Sequence, residues 1–294
     1  MPDFGEYERR VLGYFAKGTE VLFENSKMVV KESGKPTCSQ GEPKTDIYVL
    51  LEDNDQTVEV KISYKKENAD FLENKTNALR AEQLFGSDWR NIIKKSTTSI
   101  QDRFSNRMLI YKERLSRTAK GAITLGWKFE LLNKPGGELS GKMDLDYQQI
   151  YDVYAGTNLS EDKRNAYVNG RIIENSGVAN YILISNNASS AQDVLDQMVS
   201  IDEYIKSNPD IYFACKALNY RTFESKYDGN RPLAVQVDWN IDNEKLSSSL
   251  IFDRPLELNG DEMASRLLRC LKYLKISTTD DIDDDNSNMN NINE

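Results

Sequence analysis

Apolar positions along the chain change their spacing near residue 46, and that change organises the reading. From Glu6 to Phe15 they recur three and four apart, placing Tyr7, Val11, Leu12 and Phe15 on one side of a helix. Thr19 to Asn25 reads as a second helical piece, and Lys35 to Lys44 (KPTCSQGEPK), rich in turn formers, as a loop. Asp46 to Glu52 (DIYVLLE) reads as a strand and Asp53 to Gln56 as a turn. In the next strand, Thr57 to Lys65, Val58, Val60, Ile62 and Tyr64 alternate with Glu59, Lys61, Ser63 and Lys65. Together they predict a hairpin.

Helices are expected over Asn68–Phe85 and Trp89–Arg117, then strands over Ala122–Leu132, Arg171–Ile173 and Ala179–Ser185. Ser190 to Ile205 has helical spacing. A late β region runs from Tyr212 through Leu233–Trp239 to Leu250–Phe252. A last helix, Asp261–Leu274, groups Met263, Leu267, Leu268, Leu271 and Leu274, and the Asp/Asn-rich tail is expected to be disordered. This order predicts an α/β (α+β) class, with a core in residues 1–130, a closely packed part in 131–277 and a tail in 278–294.

Composition narrows the chemistry. The 294 residues contain no histidine, which removes imidazole bases, His-metal nuclease motifs and Ser-His-Asp triads. Cys38, Cys215 and Cys270 are widely spaced and predict reduced thiols, without zinc or a disulfide framework. No apolar run reaches the roughly 20 residues that span a bilayer, and the N-terminus carries no signal-peptide pattern, so a cytoplasmic protein without a membrane partner is expected. Net charge is -9, but six of those charges lie in residues 278–294. A local basic face can still meet DNA, and Trp89–Lys120 supplies one, with nine Lys and Arg against Asp102 and Glu113. Its Arg90, Lys94, Lys95, Arg103 and Arg107 are the candidate DNA contacts. The plain alternative is a solvated helix whose Ile92, Ile93 and Phe104 pack inward. Lys134-Pro135-Gly136-Gly137 is read as a turn, and Trp127 and Trp239 as core residues.

Chemistry concentrates on the hairpin. Residues two apart on a strand share a face, so Glu59, Lys61, Ser63 and Lys65 project together, and the hairpin folds that face against Asp46. Carboxylates that hold Mg2+ beside a lysine are what phosphodiester hydrolysis needs. A charged strand face is also what plain solvation produces.

Asp46 followed by Glu59-Val60-Lys61 resembles the PD-(D/E)xK nuclease superfamily, which includes many type II restriction endonucleases; Thr45 stands where that pattern has proline. A second frame, Lys44-Thr45-Asp46 with Ile62-Ser63-Tyr64-Lys65-Lys66, is similar to a subgroup with Ser-x-Lys in place of acid-x-Lys. A symmetric turn at Asn54-Asp55 sets Asp46 opposite Ser63 and favours Lys65, whereas ligand chemistry favours Glu59; both frames stay open. In the Ser63/Lys65 frame another acid is needed, and Glu8, or failing it Glu6, would supply it.

The resemblance implies a restriction-endonuclease-like core, a central mixed sheet flanked by helices with a further C-terminal α/β part. It also implies a Mg2+-dependent, sequence-specific endonuclease acting on double-stranded DNA, of restriction or phage type. By analogy, cutting both strands of a symmetric site favours a homodimer. The contrasting expectation is a nuclease-fold module that binds DNA or protein without catalysis.

Overall fold

A computed structural model describes residues 4–39, 41–65, 71–73 and 76–293. The chain divides into two compact units, each assembled from separate stretches. The first takes Met1–Asp70, Gln83–Gly86 and Leu145–Asp210; the second takes Phe71–Glu82, Ser87–Asp144 and Ile211–Glu294. The expected boundaries at residues 130 and 277 do not separate them, and the basic segment belongs to a different unit from the hairpin.

The first unit opens with helix α1 (Phe4–Tyr14), followed by β1 (Glu20–Phe23), β2 (Ser26–Gly34), β3 (Ile47–Glu52) and β4 (Thr57–Lys65). Thr19–Asn25 is therefore a strand and a turn rather than a helix. Val21 and Phe23 alternate inward, and Glu24 and Asn25 both take positive φ, 48° and 68°, the geometry of a tight two-residue hairpin turn. β1 to β4 pair antiparallel in sequence order, and strand Tyr181–Ile184 joins β4 in parallel, which makes a mixed sheet. One face buries Ile47, Val49, Leu51, Val60, Ile62 and Tyr64 with Val11 of α1, Phe15 just past its end, and Val194 and Leu195 of helix Ala191–Gln197. The alternation read in β4 is thus its core face, and the charged residues occupy the other.

Helix Tyr147–Ala155 was not anticipated, although its ends were written in the chain. Asp146 and Gln149 close a capping box, and Gly156 ends it with φ 79°. The helix expected over Ser190–Ile205 is two helices, because Met198 is extended and Ser200 starts a new one by accepting from the Glu203 N–H.

The second unit is built on an antiparallel sheet with strand Ala122–Leu132 at its centre, buried on both faces. Phe104 packs edge-on to Trp127 at 5.0 Å, and Phe129 stacks on Phe213 at 5.5 Å. Trp239 donates its indole N–H to Thr124 O at 2.9 Å, so Trp127 and Trp239 are core residues. Helix Gly260–Tyr273 begins in a capping box of Asn259 and Glu262 and buries Met263, Leu267 and Leu271; Leu268, expected on the same side, is exposed.

The basic segment is not one helix. Trp89–Thr98 is helical, but the Thr97 and Thr98 hydroxyls turn back onto the Ile93 and Lys94 carbonyls. Such bonds compete with helix continuation, and only a short helix, Gln101–Ser105, and strand Ile110–Tyr111 follow.

The tail is also ordered where disorder was expected. Ile292–Asn293 pairs in parallel with Ile110–Tyr111, Leu109 N–H donates to Asn291 O at 2.8 Å, and Leu246 N–H donates to Asn286 O at 2.7 Å. Buried Ile276 and Ile282 anchor it, and its polar backbone covers strand edges that would otherwise lack partners. No helix of the described residues is long and apolar enough to cross a membrane.

Because the tail completes these edges, removing residues 279–294 should lower the melting temperature by roughly 2–4 °C, the shift about 1 kcal/mol gives in a domain of this size. An unchanged calorimetric transition in the shortened chain would contradict this role.

Candidate active site

The approach to Asp46 is held by one glycine. Lys44 and Thr45 both donate their N–H groups to Gly177 O, at 2.9 and 3.2 Å, and Gly177 N–H donates to Arg164 O at 2.8 Å. A Cβ on Gly177 would lie 1.8 Å from Lys163 O, so only glycine permits this approach. Asp46 then enters the ladder. Its N–H donates to Ile62 O at 2.8 Å, and its Oδ2 accepts the Tyr64 N–H at 2.7 Å.

The register decides which part of β4 Asp46 meets. The rungs run from Glu52 with Thr57, through Leu50 with Glu59, to Ile47 with Ile62. Asp46 therefore lies beside Ser63-Tyr64-Lys65. Glu59 sits four positions back, about 13 Å along the strand at roughly 3.3 Å per residue. There it has partners of its own. Tyr48 OH donates to Glu59 Oε1 at 2.8 Å, and Lys61 Nζ lies 3.2 Å from Oε2. Burial and then the Glu59 carboxylate push the Tyr48 hydroxyl far above its ordinary range, so it remains a donor. Asn180 clamps the same stretch, accepting from Lys61 N–H at 2.7 Å and donating to Glu59 O at 2.9 Å. Glu59 and Lys61 thus form a satisfied structural pair.

The surroundings of Asp46 differ. Burial raises its carboxyl above the usual aspartate range; the charge of Lys65 and the Tyr64 N–H oppose this, Glu8 adds to it, and Lys35 counters it. Glu8 reaches this neighbourhood because Tyr7, one residue before it on α1, stacks on Tyr64 with ring centroids 4.8 Å apart. Lys35 Nζ bonds Glu8 Oε2 at 2.8 Å. That bond holds the Lys35 ammonium above its usual range against the effect of burial, and the charges of Glu8, Asp46 and Glu42 reinforce it. Ser63 is 1% exposed, and its Oγ has no hydrogen-bond partner among the described residues; Thr45 Oγ1 is in the same condition.

Asp46, Glu8, Ser63 and Lys65 therefore belong to one neighbourhood, and Glu59 and Lys61 to another. Lys66 lies outside the described residues, as do residues 68–70; of the helix expected over Asn68–Phe85, Phe71–Glu73 is a strand and only Ala78–Phe85 is helical. Sequence reasoning missed Lys35, Tyr48, Asn180 and Gly177. Tyr48 could have been found by alternation, two residues from Asp46. The other three act across 27 to 133 residues of chain, and no local pattern announces them.

Among the described residues no three acids, cysteines or histidines gather as a ready-made metal cage. Mg2+ does not require one, since it keeps several waters and takes one or two carboxylates with substrate phosphates. Two acids within electrostatic reach and an orphaned buried hydroxyl fit a cation of this kind.

The five candidate DNA contacts stand in the second unit, four of them with internal partners. Arg90 lies over the Trp89 ring, 3.7 Å from Glu257, and Lys95 pairs with Asp144. Arg103 donates to Glu138 O and Ser140 O at 3.2 and 2.8 Å, and Arg107 pairs with Glu138. Lys94 is exposed. No protein-family model matches the chain, and neither does any curated protein or solved structure.

A carboxyl whose native pKa is raised favours the protonated fold, so ionised Asp46 opposes stability above its ordinary pKa. Asp46→Asn keeps an acceptor for the Tyr64 N–H and should raise the melting temperature at pH 7 by a few degrees. The gain should shrink as the pH falls towards 4, and a variant that melts lower at pH 7 would contradict the burial. Gly177→Ala should be destabilised by about 1–3 kcal/mol, the usual cost of overpacking. A wild-type denaturation midpoint in that variant would show that the approach to Asp46 is not so confined.

Proposed function

We propose that the chain is a Mg2+-dependent DNA endonuclease, sequence-specific in action, whose first unit is a restriction-endonuclease-like core. The observation that carries this reading is the partly buried Asp46, pinned by the Tyr64 N–H beside Ser63 and Lys65 with Glu8 in electrostatic reach. A carboxylate kept at such expense, next to orphaned hydroxyls, is what a site awaiting a cation and a phosphate presents. A mixed sheet with helices on its core face agrees with the expected fold class.

Of the two frames, Ser63/Lys65 is the one this register supports. Asp46 and Glu8 would hold Mg2+, with the Ser63 hydroxyl beside them. The cation supplies an acidified water and a polarised phosphate. Lys65 would place its ammonium where charge develops on the phosphate oxygens, and Lys35 would hold Glu8 in position until substrate arrives. Arg90, Lys95, Arg103 and Arg107 would serve duplex DNA by exchanging their carboxylate or carbonyl partners for phosphates, and exposed Lys94 would meet a phosphate directly. Action as a homodimer on a symmetric site follows from the same analogy, and action in the cytoplasm from the three free cysteines.

The engagement of Glu8 by Lys35 favours one other reading, a nuclease-fold module that binds DNA without cutting it.

Supercoiled plasmid incubated with the protein and Mg2+ should be cut into discrete fragments, and EDTA should stop the reaction. Asp46→Ala should abolish cutting, and Lys65→Ala should slow it at least about a hundredfold, the effect of deleting one donor to a transition-state anion. Lys61→Ala should stay within several-fold of wild type. Cutting that survives Asp46→Ala would refute the assignment, and retained DNA binding with no cutting would establish the module instead.

A further inference from the structure

The second unit contains a cleft of about 510 Å3 that hydrolysis at Asp46 does not use. One wall is the tight turn Leu115–Thr118, closed by paired backbone hydrogen bonds of 3.1 and 2.9 Å with Ser116 at φ 53°. This turn carries Arg117 at its tip, exposed and without a hydrogen bond or ion pair among the described residues. The Gly136–Glu138 loop also lines the cleft. It is held by Gly136 N–H donating to Ser140 Oγ at 2.9 Å and by the Arg103 guanidinium on the Glu138 and Ser140 carbonyls. Glu138 in turn holds Arg107, the second cation of the rim. The floor is uncharged, made by Trp127, Tyr111, Leu139 and Cys215, all buried.

We infer that this cleft binds one nucleoside 5'-phosphate unit, its base on the apolar floor and its phosphate between Arg117 and Arg107. Three features select this ligand. The volume lies in the range of small-molecule sites, about 300–1,000 Å3. The floor offers flat aromatic and aliphatic surface with no charge for a base to desolvate. The rim offers two guanidiniums, the donors best matched to a phosphate, one unpaired and one held only by an exposed carboxylate that a phosphate can displace. Glu138 is then a competitor for Arg107, which gives the site a diagnostic pair of opposite responses.

The nucleotide can arrive free or as an unpaired residue of a strand, and both present the same chemistry. The 294-residue chain, in EDTA so that hydrolysis plays no part, is titrated calorimetrically with deoxyadenosine 5'-monophosphate, a 5'-phosphorylated single-stranded trinucleotide and inorganic phosphate. One-site binding of the mononucleotide is expected if the source is free nucleotide, and of the trinucleotide alone if it is a strand. Arg117→Ala should weaken whichever binds about tenfold, and Glu138→Gln should tighten it several-fold. Both residues are exposed, so the folded state should survive, as the melting curve would verify. Absence of saturable binding by both nucleotide probes would overturn the inference. So would inorganic phosphate binding as tightly as the nucleotide, or affinities unmoved by both substitutions. None of these results depends on whether plasmid is cut, so failure here and failure of the endonuclease reading are separable.

Discussion

The site depends on where the β3–β4 ladder stops. Six rungs, from Glu52 with Thr57 to Ile47 with Ile62, fix these strands against each other, and the hydrogen bond from Tyr64 N–H to the Asp46 carboxylate comes directly after the last. The register cannot drift. A slip of one residue would turn Val60, Ile62 and Tyr64 out of the core and send Glu59, Lys61 and Ser63 into it. Burial of six apolar side chains on one face therefore determines which residues Asp46 meets on the other. Position in the chain makes Glu59-Val60-Lys61 an equally good partner; packing makes it a distant one.

What surrounds Asp46 opposes stability, and what surrounds Glu59 supports it. Glu59 has the Tyr48 hydroxyl and the Lys61 ammonium, with Asn180 bracing the backbone between them. Asp46 has one backbone donor and the charges of Lys65 and Lys35, but burial outweighs them, Glu8 adds a nearby like charge, and two neighbours carry buried hydroxyls without a partner among the described residues. Each unsatisfied buried group costs about 1–3 kcal/mol. Local expense of this kind, inside an otherwise consistent core, is typical of places kept for chemistry.

Much of this was legible in the chain, and the failures have identifiable causes. The β3–β4 hairpin and helix Gly260–Tyr273 followed from spacing alone, because the apolar side chains of each recur with its own period. Thr19–Asn25 misled because a four-residue strand is too short for periodicity to distinguish it from helix, and its hairpin signal lay in a Glu-Asn turn rather than Asn-Gly. The basic segment failed at Thr97 and Thr98, whose hydroxyls find backbone partners that charge and apolar spacing do not reveal. The tail failed because composition counts side chains, whereas its order rests on backbone bonds to distant strand edges, at Leu246 and at Ile110–Tyr111. At the site, Asp46 and Lys65 were readable from motif and alternation. The pairing of Glu8 with Lys35 and the Gly177 anchor are tertiary, and no window of sequence contains them.

The central claim is that Asp46, and not Glu59, is the acid around which a divalent cation is held. Anomalous diffraction from crystals soaked in Mn2+ tests it without relying on turnover. Asp46 as the cation's acid requires a peak within roughly 2.0–2.6 Å of an Asp46 carboxylate oxygen, the range of hard cations on oxygen. A peak on Glu59 with none at Asp46, or no peak on either acid at saturating metal, would contradict it.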